Sequence, residues 1–153
     1  MNAHSYHWSF FKHSDHSFGL FYPRHYILIG LDSQARAREV ERVFLEEGFP
    51  AGDVAFASGD FLAGKLESTA DIGLLDRIKI GIAHIAGTEQ GYIDDDLKLA
   101  GRGGAFVFVH APDEDTTARA TAIIERIHPV YARHYRELAI ERIVYPSPAT
   151  STV

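Results

Sequence analysis

Two His-Ser-x-His tetrads, His4-Ser5-Tyr6-His7 and His13-Ser14-Asp15-His16, stand nine residues apart near the start of the chain. Imidazoles at i and i+3 can converge from one turn. His4, His7, His13 and His16 therefore offer four neutral nitrogen ligands to zinc, nickel or copper, with Asp15 as a carboxylate alternative. A second reading fits the same residues. Trp8, Phe10, Phe11, Phe18, Phe21 and Tyr22 interleave the histidines, and that much apolar area left in water costs about 25 cal/mol per Å². The stretch then reads as an arm that packs its rings on its own domain or a partner chain, with histidines at the rim. The chain has no cysteine, so a metal would have to rely on imidazole and carboxylate, and no His-Glu-x-x-His motif supports one.

Further along, Arg102, Gly103 and Gly104 follow Gly101 and offer an amide nest for an anion, with Arg102 supplying charge. The plainer reading is a chain turn in which glycine accommodates positive φ. His110 and His134 are candidate general bases lining a pocket. Neither carries a nucleophile and an orienting carboxylate in sequence, so both read first as structural residues. Arg102 to Val109 overlaps in part with an RNA-recognition strand, but Gly104 and Val109 stand where aromatic residues are needed for base stacking. The triplets Asp94 to Asp96 and Asp113 to Asp115 invite a magnesium site. Consecutive acids diverge around a helix, however, and at a helix start they compensate the dipole.

These residues need a scaffold. "HYILIGL", from His25 to Leu31, reads as a buried strand, followed by Asp32-Ser33 as a helix cap. Ala37, Val40, Val43 and Phe44 make an apolar stripe at helical spacing, stopped by Gly48 and Pro50, and "DVAFAS" from Asp53 to Ser58 is a second strand. A mostly helical insertion from Phe61 to Ala100 follows, with Leu74, Leu75, Ile78, Ile82 and Ile85 on one face and a short helix from Tyr92 to Leu99. The second half repeats the first. "AFVFVHA", from Ala105 to Ala111, is a strand; Pro112 to Asp115 starts a helix with the stripe Ala120, Ile123, Ile124 and Ile127; Val130 to Tyr145 is a final strand or pair of strands.

The expected fold is α+β, a ferredoxin-like βαβ-βαβ sandwich with a helical insertion between the halves and helices on one side of an antiparallel sheet. Its organisation is a His and aromatic arm at 1–24, one domain at 25–145 and a tail at 146–153. The other sheet face would be open and carry Tyr26, Phe106 or Phe108, and Tyr135, so self-association or cover by the arm is expected, giving a homodimer with an exchanged arm.

At 153 residues the chain can bury a core without staples. Its formal charge of −6 gives no general attraction to nucleic acid or anionic lipid. No signal peptide or membrane span is read from the sequence, and a cytoplasmic protein is expected.

Tyr92 with Asp94, Asp95 and Asp96, then Gly101-Arg102-Gly103-Gly104, then the strand end running into "VHAPDED" and a helix of Ala and Ile, resemble the bacterial general stress protein family, also called heat-induced stress proteins. The resemblance covers about residues 25 to 145 and implies a fold and a stress setting, with no catalytic residues to carry over. The histidine arm departs from that pattern. The leading expectation is thus a non-enzymatic, homo-oligomeric, stress-associated module that binds a partner protein or small ligand. Metal binding or sensing through the arm is the alternative, and an enzyme of the dimeric ferredoxin-like type the third.

Overall fold

The computed structural model describes residues 23–64, 90–137 and 139–146. The two tetrads, the stripe from Leu74 to Ile85 and the C-terminal tail beyond Pro146 lie outside these residues.

Five strands form one antiparallel sheet: β1 (Tyr26–Leu31), β2 (Val54–Ser58), β3 (Ala105–His110), β4 (Tyr131–Tyr135) and β5 (Ile140–Val144), in the order β2-β3-β1-β4-β5. The stretch Val130 to Tyr145 is a pair of strands. Helices α1 (Gln34–Glu46), α2 (Gln90–Gly101) and α3 (Glu114–Ile127) accompany them among the described residues. Residues 51–53 form a 3₁₀ turn and 59–64 are helical.

The helix boundaries follow from local chemistry. Ser33 caps α1, its hydroxyl accepting from the Arg36 amide at 3.1 Å, and Asp113 caps α3 by accepting from the Thr116 amide at 2.8 Å. Each cap satisfies an amide that the first helical turn leaves without a partner. Gly48, at φ +102°, ends α1: its amide bonds the Leu45 carbonyl and the Phe49 amide bonds that of Phe44. Phe49 then packs edge-on against Phe44 with ring centroids 5.2 Å apart, the hydrophobic contact that accompanies this type of helix ending.

Alternation along the strands sorts residues to two faces. Ile27, Ile29, Leu31, Val107 and Val109 face α1 and α3 and form one core with Val40, Phe44, Ile123 and Ile124. Tyr26, Leu28, Phe106, Phe108, Tyr131 and Tyr135 face the other way and form a second core with Leu62 and Leu99.

That second core corrects the expectation of an open face. Tyr26 and Phe106 are 0% exposed, Phe108 2% and Tyr135 4%. Helices lie on both sides of the sheet because the segment between the two halves, through α2 and residues 59–64, covers the face that α1 and α3 leave. Gly30 allows the approach: a Cβ there would stand 2.8 Å from both Leu99 Cδ2 and Tyr131 Cε1, inside van der Waals contact. No helix among the described residues is long and apolar enough to cross a membrane.

Candidate functional site

The second sheet face holds a polar cluster inside its apolar surroundings. On β4, alternation points Tyr131, Arg133 and Tyr135 at α2. On α2, Tyr92, Asp96 and Leu99 fall at i, i+4 and i+7 and face the sheet, all three buried. The two patterns meet. Arg133, fully buried, pairs its Nη2 with Asp96 Oδ2, and the Tyr131 hydroxyl donates to Asp96 Oδ1. Arg133 Nε donates to the Tyr135 hydroxyl at 3.0 Å and Nη1 to the Tyr145 hydroxyl at 3.1 Å. Its guanidinium carbon lies 4.8, 5.3 and 5.5 Å from the ring centroids of Tyr92, Tyr131 and Tyr135, within cation–π reach.

Burial pushes the Asp96 carboxyl up against the opposing pull of Arg133 and the Tyr131 hydroxyl, the desolvation cost expected of a buried ion pair. The guanidinium stays charged, held so by the tyrosines and Asp96 around it. Burial also pushes the hydroxyls of Tyr131 and Tyr145 up, so both remain protonated donors.

Above this cluster, between α2 and the β4–β5 pair, lies a cavity of about 400 Å³. Tyr92, Tyr131 and Tyr145 form much of its wall, and Lys98, Arg102 and Arg142 bring three cations to it. Tyr131 and Tyr145 stack with centroids 5.1 Å apart and a 21° interplanar angle; Tyr92 meets Tyr145 edge-on at 5.6 Å. Arg142 Nε donates to the Tyr92 hydroxyl at 2.9 Å. The Tyr145 hydroxyl donates to Asp95 Oδ2, also at 2.9 Å, so it links the carboxylate in the cavity wall to the cation beneath it.

Of the residues singled out from sequence, Arg102 lines this cavity and its glycine neighbours end α2. The amides of Arg102, Gly103 and Gly104 donate back to carbonyls of Lys98, Leu99 and Ala100 at 2.9 to 3.2 Å. Gly103 takes φ +91°, and its amide bonds Ala100 while that of Gly104 bonds Leu99, the paired bonds of a glycine helix ending. An amide nest is therefore corrected to a C-terminal cap: the donors are spent, and they sit at the negative end of the helix dipole.

His110 and His134 are not brought together. His110 shares a face with Tyr26, ring centroids 4.7 Å apart, and its Nδ1 lies 3.9 Å from Asp53 Oδ1. His134 belongs to the opposite face, since its register partner Ile27 directly follows Tyr26, the partner of His110. It lines a separate cavity of about 370 Å³ with His25, Asp113, Thr117 and Arg136. Its Nε2 stands 3.1 Å from the Ala111 carbonyl, which can only accept, so Nε2 carries the proton. Burial pushes the imidazole down, toward the neutral form.

The acidic triplets differ from each other. Asp113 caps α3 and Glu114 and Asp115 occupy its first turn, where they suit the dipole, and the Thr116 bonds hold the Asp113 carboxyl below the usual carboxylate range. Asp94 to Asp96 lie inside α2, whose first turn is not acidic; the dipole account of that triplet is replaced by the buried pair with Arg133. The rings on the RNA-like strand, Phe106 and Phe108, are buried and cannot stack on bases. Among the described residues no group of three His, Cys, Asp or Glu is placed to hold a metal.

Tyr92, Lys98, Tyr131, Arg142 and Tyr145 were not legible as a site in the sequence. Two signals pointed to the cluster beneath them: an arginine between two tyrosines at period 2 (Tyr131, Arg133, Tyr135), and an aspartate on the helical stripe of Tyr92 and Leu99. Comparison of the chain with family models, curated proteins and solved structures gives no match.

Proposed function

We propose that this chain is a non-enzymatic small-ligand-binding module whose ligand sits between α2 and the β4–β5 pair. The observation that carries the reading is the cavity of about 400 Å³, a size usual for small-molecule sites, with a wall fixed by the Arg133 cluster beneath it. Rigid support under a polar, ring-lined recess lowers the ordering cost of binding. The raised hydroxyls of Tyr131 and Tyr145 favour donation over attack or proton abstraction, which supports binding over the enzyme reading.

The ferredoxin-like assignment is supported by the order β2-β3-β1-β4 and by helices following β1 and β3, with β5 as an added edge strand. The stress setting rests on the sequence pattern from Tyr92 to Asp115 alone. Self-association through the sheet loses its physical ground, since the face invoked for it is buried. Arm exchange and metal binding by His4, His7, His13 and His16 concern residues outside those described.

The reading is tested by following tyrosine and arginine side-chain NMR signals of the full chain while a mixed set of small organic molecules is added. Binders that shift Tyr92, Tyr145 and the Arg142 Nε–H together are expected. Shifts confined to other parts of the fold would overturn the assignment.

A further inference from the structure

The charges in the cavity wall are arranged unusually for this molecule. Elsewhere the described arginines commonly sit in ion pairs: Arg36 with Glu39, Arg38 with Glu41, Arg126 with Glu47 and Arg136 with Glu141. Lys98, Arg102 and Arg142 take part in no salt bridge among the described residues; Arg142 bonds the neutral Tyr92 hydroxyl and lies over the Tyr92 and Tyr145 rings. That bond uses Nε and leaves the two Nη groups, the fork that grips carboxylate or phosphate oxygens bidentately. The chain as a whole carries a formal −6, so three cations around one recess, none in a salt bridge among the described residues, stand against the background charge and would focus anions into it.

Lys98, Arg102 and Arg142 contribute three positive charges to the lining and Asp95 one negative charge, a formal surplus of two that the negative end of the α2 dipole, beside Lys98 and Arg102, lowers by about half a charge. Asp95 is already engaged by the Tyr145 hydroxyl. The Tyr131 hydroxyl is donated inward to Asp96, so both rings offer the recess chiefly apolar surface. The Tyr92 hydroxyl, which accepts from Arg142, has its own proton to give beside the guanidinium fork.

We infer, resting on the ligand-binding reading above, that the cavity selects a small organic dianion, either a phosphate monoester or a dicarboxylate. Arg142 and Tyr92 grip one anionic group, Lys98 and Arg102 at the end of α2 balance the remaining charge, and the tyrosine rings with Val130 take the organic body. A nucleic-acid backbone is less suited, because it needs a long basic track and the cations here converge on one recess.

The test uses the full chain near pH 8, where a phosphate monoester, with a second pKa of about 6, carries both charges. Phenyl phosphate, phthalate, benzoate and benzyl alcohol share a ring and differ in charge; each is titrated with NMR mapping and calorimetry. The dianions are expected to bind at least about tenfold more tightly than benzoate, and benzyl alcohol more weakly still, with dianion affinity falling as salt rises. A preference for phenyl phosphate assigns the phosphate monoester and a preference for phthalate the dicarboxylate. Arg142→Gln and Lys98→Gln, at exposed positions, should each cost about tenfold for dianions and much less for benzyl alcohol, with the unfolding midpoint of each variant measured alongside to separate lost charge from the lost Arg142–Tyr92 bond. Arg126→Gln, outside the cavity, serves as the control. Benzoate or benzyl alcohol binding the recess as tightly as the dianions would overturn the charge inference while the ligand site stands. No shift at Tyr92, Tyr145 or Arg142 with any of the four probes would overturn the site itself.

Discussion

Arg133 on β4 and Asp96 on α2 form an ion pair with side chains 0% and 1% exposed, so a strand and the helix covering it are joined by opposite charges withdrawn from water. Such a pair contributes little net stability, because desolvation offsets the attraction, yet breaking it strands one charge inside the protein. Asp96→Ala or Arg133→Met alone should therefore cost about 3–5 kcal/mol. The double replacement Asp96→Leu with Arg133→Met should recover part of that loss, since neither charge remains buried, while the Tyr131 hydroxyl loses Asp96 as its acceptor. Urea unfolding of the two single variants and the double variant measures the coupling. Additive losses would show that the two side chains do not act as a pair.

The pair also explains what was and was not legible. Strands β1 to β4 and helices α1 and α3 could be read locally, because alternation, helical stripes, Ser33, Asp113 and Gly48 are short-range signals. The side of the sheet taken by α2 could not. It depends on Leu99 and Asp96 meeting Gly30, Tyr131 and Arg133, contacts between distant parts of the chain that no window of sequence contains. Asp96 was further masked by Asp94 and Asp95, which make the triplet look like a solvated run although the third acid is buried against Arg133 and the second is bonded by Tyr145. The ring-lined cavity inherits the difficulty, because its walls come from α2, the start of β4 and the end of β5. The helix ending at Gly103 was read in outline as a turn, while the competing anion nest fell only once the amides could be followed to their acceptors.

If Gly30 admits α2 to the sheet, a methyl group there should hold the helix off. Gly30→Ala would place Cβ 2.8 Å from Leu99 Cδ2 and Tyr131 Cε1, and overpacking of this kind typically costs about 1–3 kcal/mol. Gly52→Ala has no atom within 4 Å of the new carbon and should leave the unfolding free energy within about 0.5 kcal/mol of the parent. Equal effects at the two positions, measured by chemical unfolding, would argue that the close approach of α2 has no energetic consequence.

The covered face makes a further distinction measurable. Phe106 is 0% exposed on the face that sequence reasoning left open, so Phe106→Ala should remove about 3–5 kcal/mol of folding stability through lost burial and a cavity. Were that face an exposed interface between copies, the same change would leave each chain as stable and alter only its association. Unfolding curves and light scattering on the same samples separate the two. A stable, newly monomeric Phe106→Ala protein would contradict the burial.

His134 gives the fold a pH dependence of known sign. Its Nδ1 is buried and has no hydrogen-bond partner among the described residues, while Nε2–H donates to the Ala111 carbonyl, so protonation would place a new donor where nothing accepts it. Desolvation, with Arg136 second, lowers its pKa in the folded state, whereas the unfolded chain should titrate near the usual histidine value of about 6.5. As pH falls through that unfolded value, the unfolded state takes up the proton first and stability declines by up to about 1.4 kcal/mol per pH unit, levelling once the folded form also protonates. The contribution is fully present above the unfolded pKa. His134→Gln can keep a side-chain donor for Ala111 without an ionisable group, so it should flatten this part of the pH dependence. The slope of unfolding free energy between pH 7 and 5, compared between parent and variant, isolates His134 from the other histidines. Identical slopes would mean that the ring gains a proton in the folded protein as readily as in the unfolded chain.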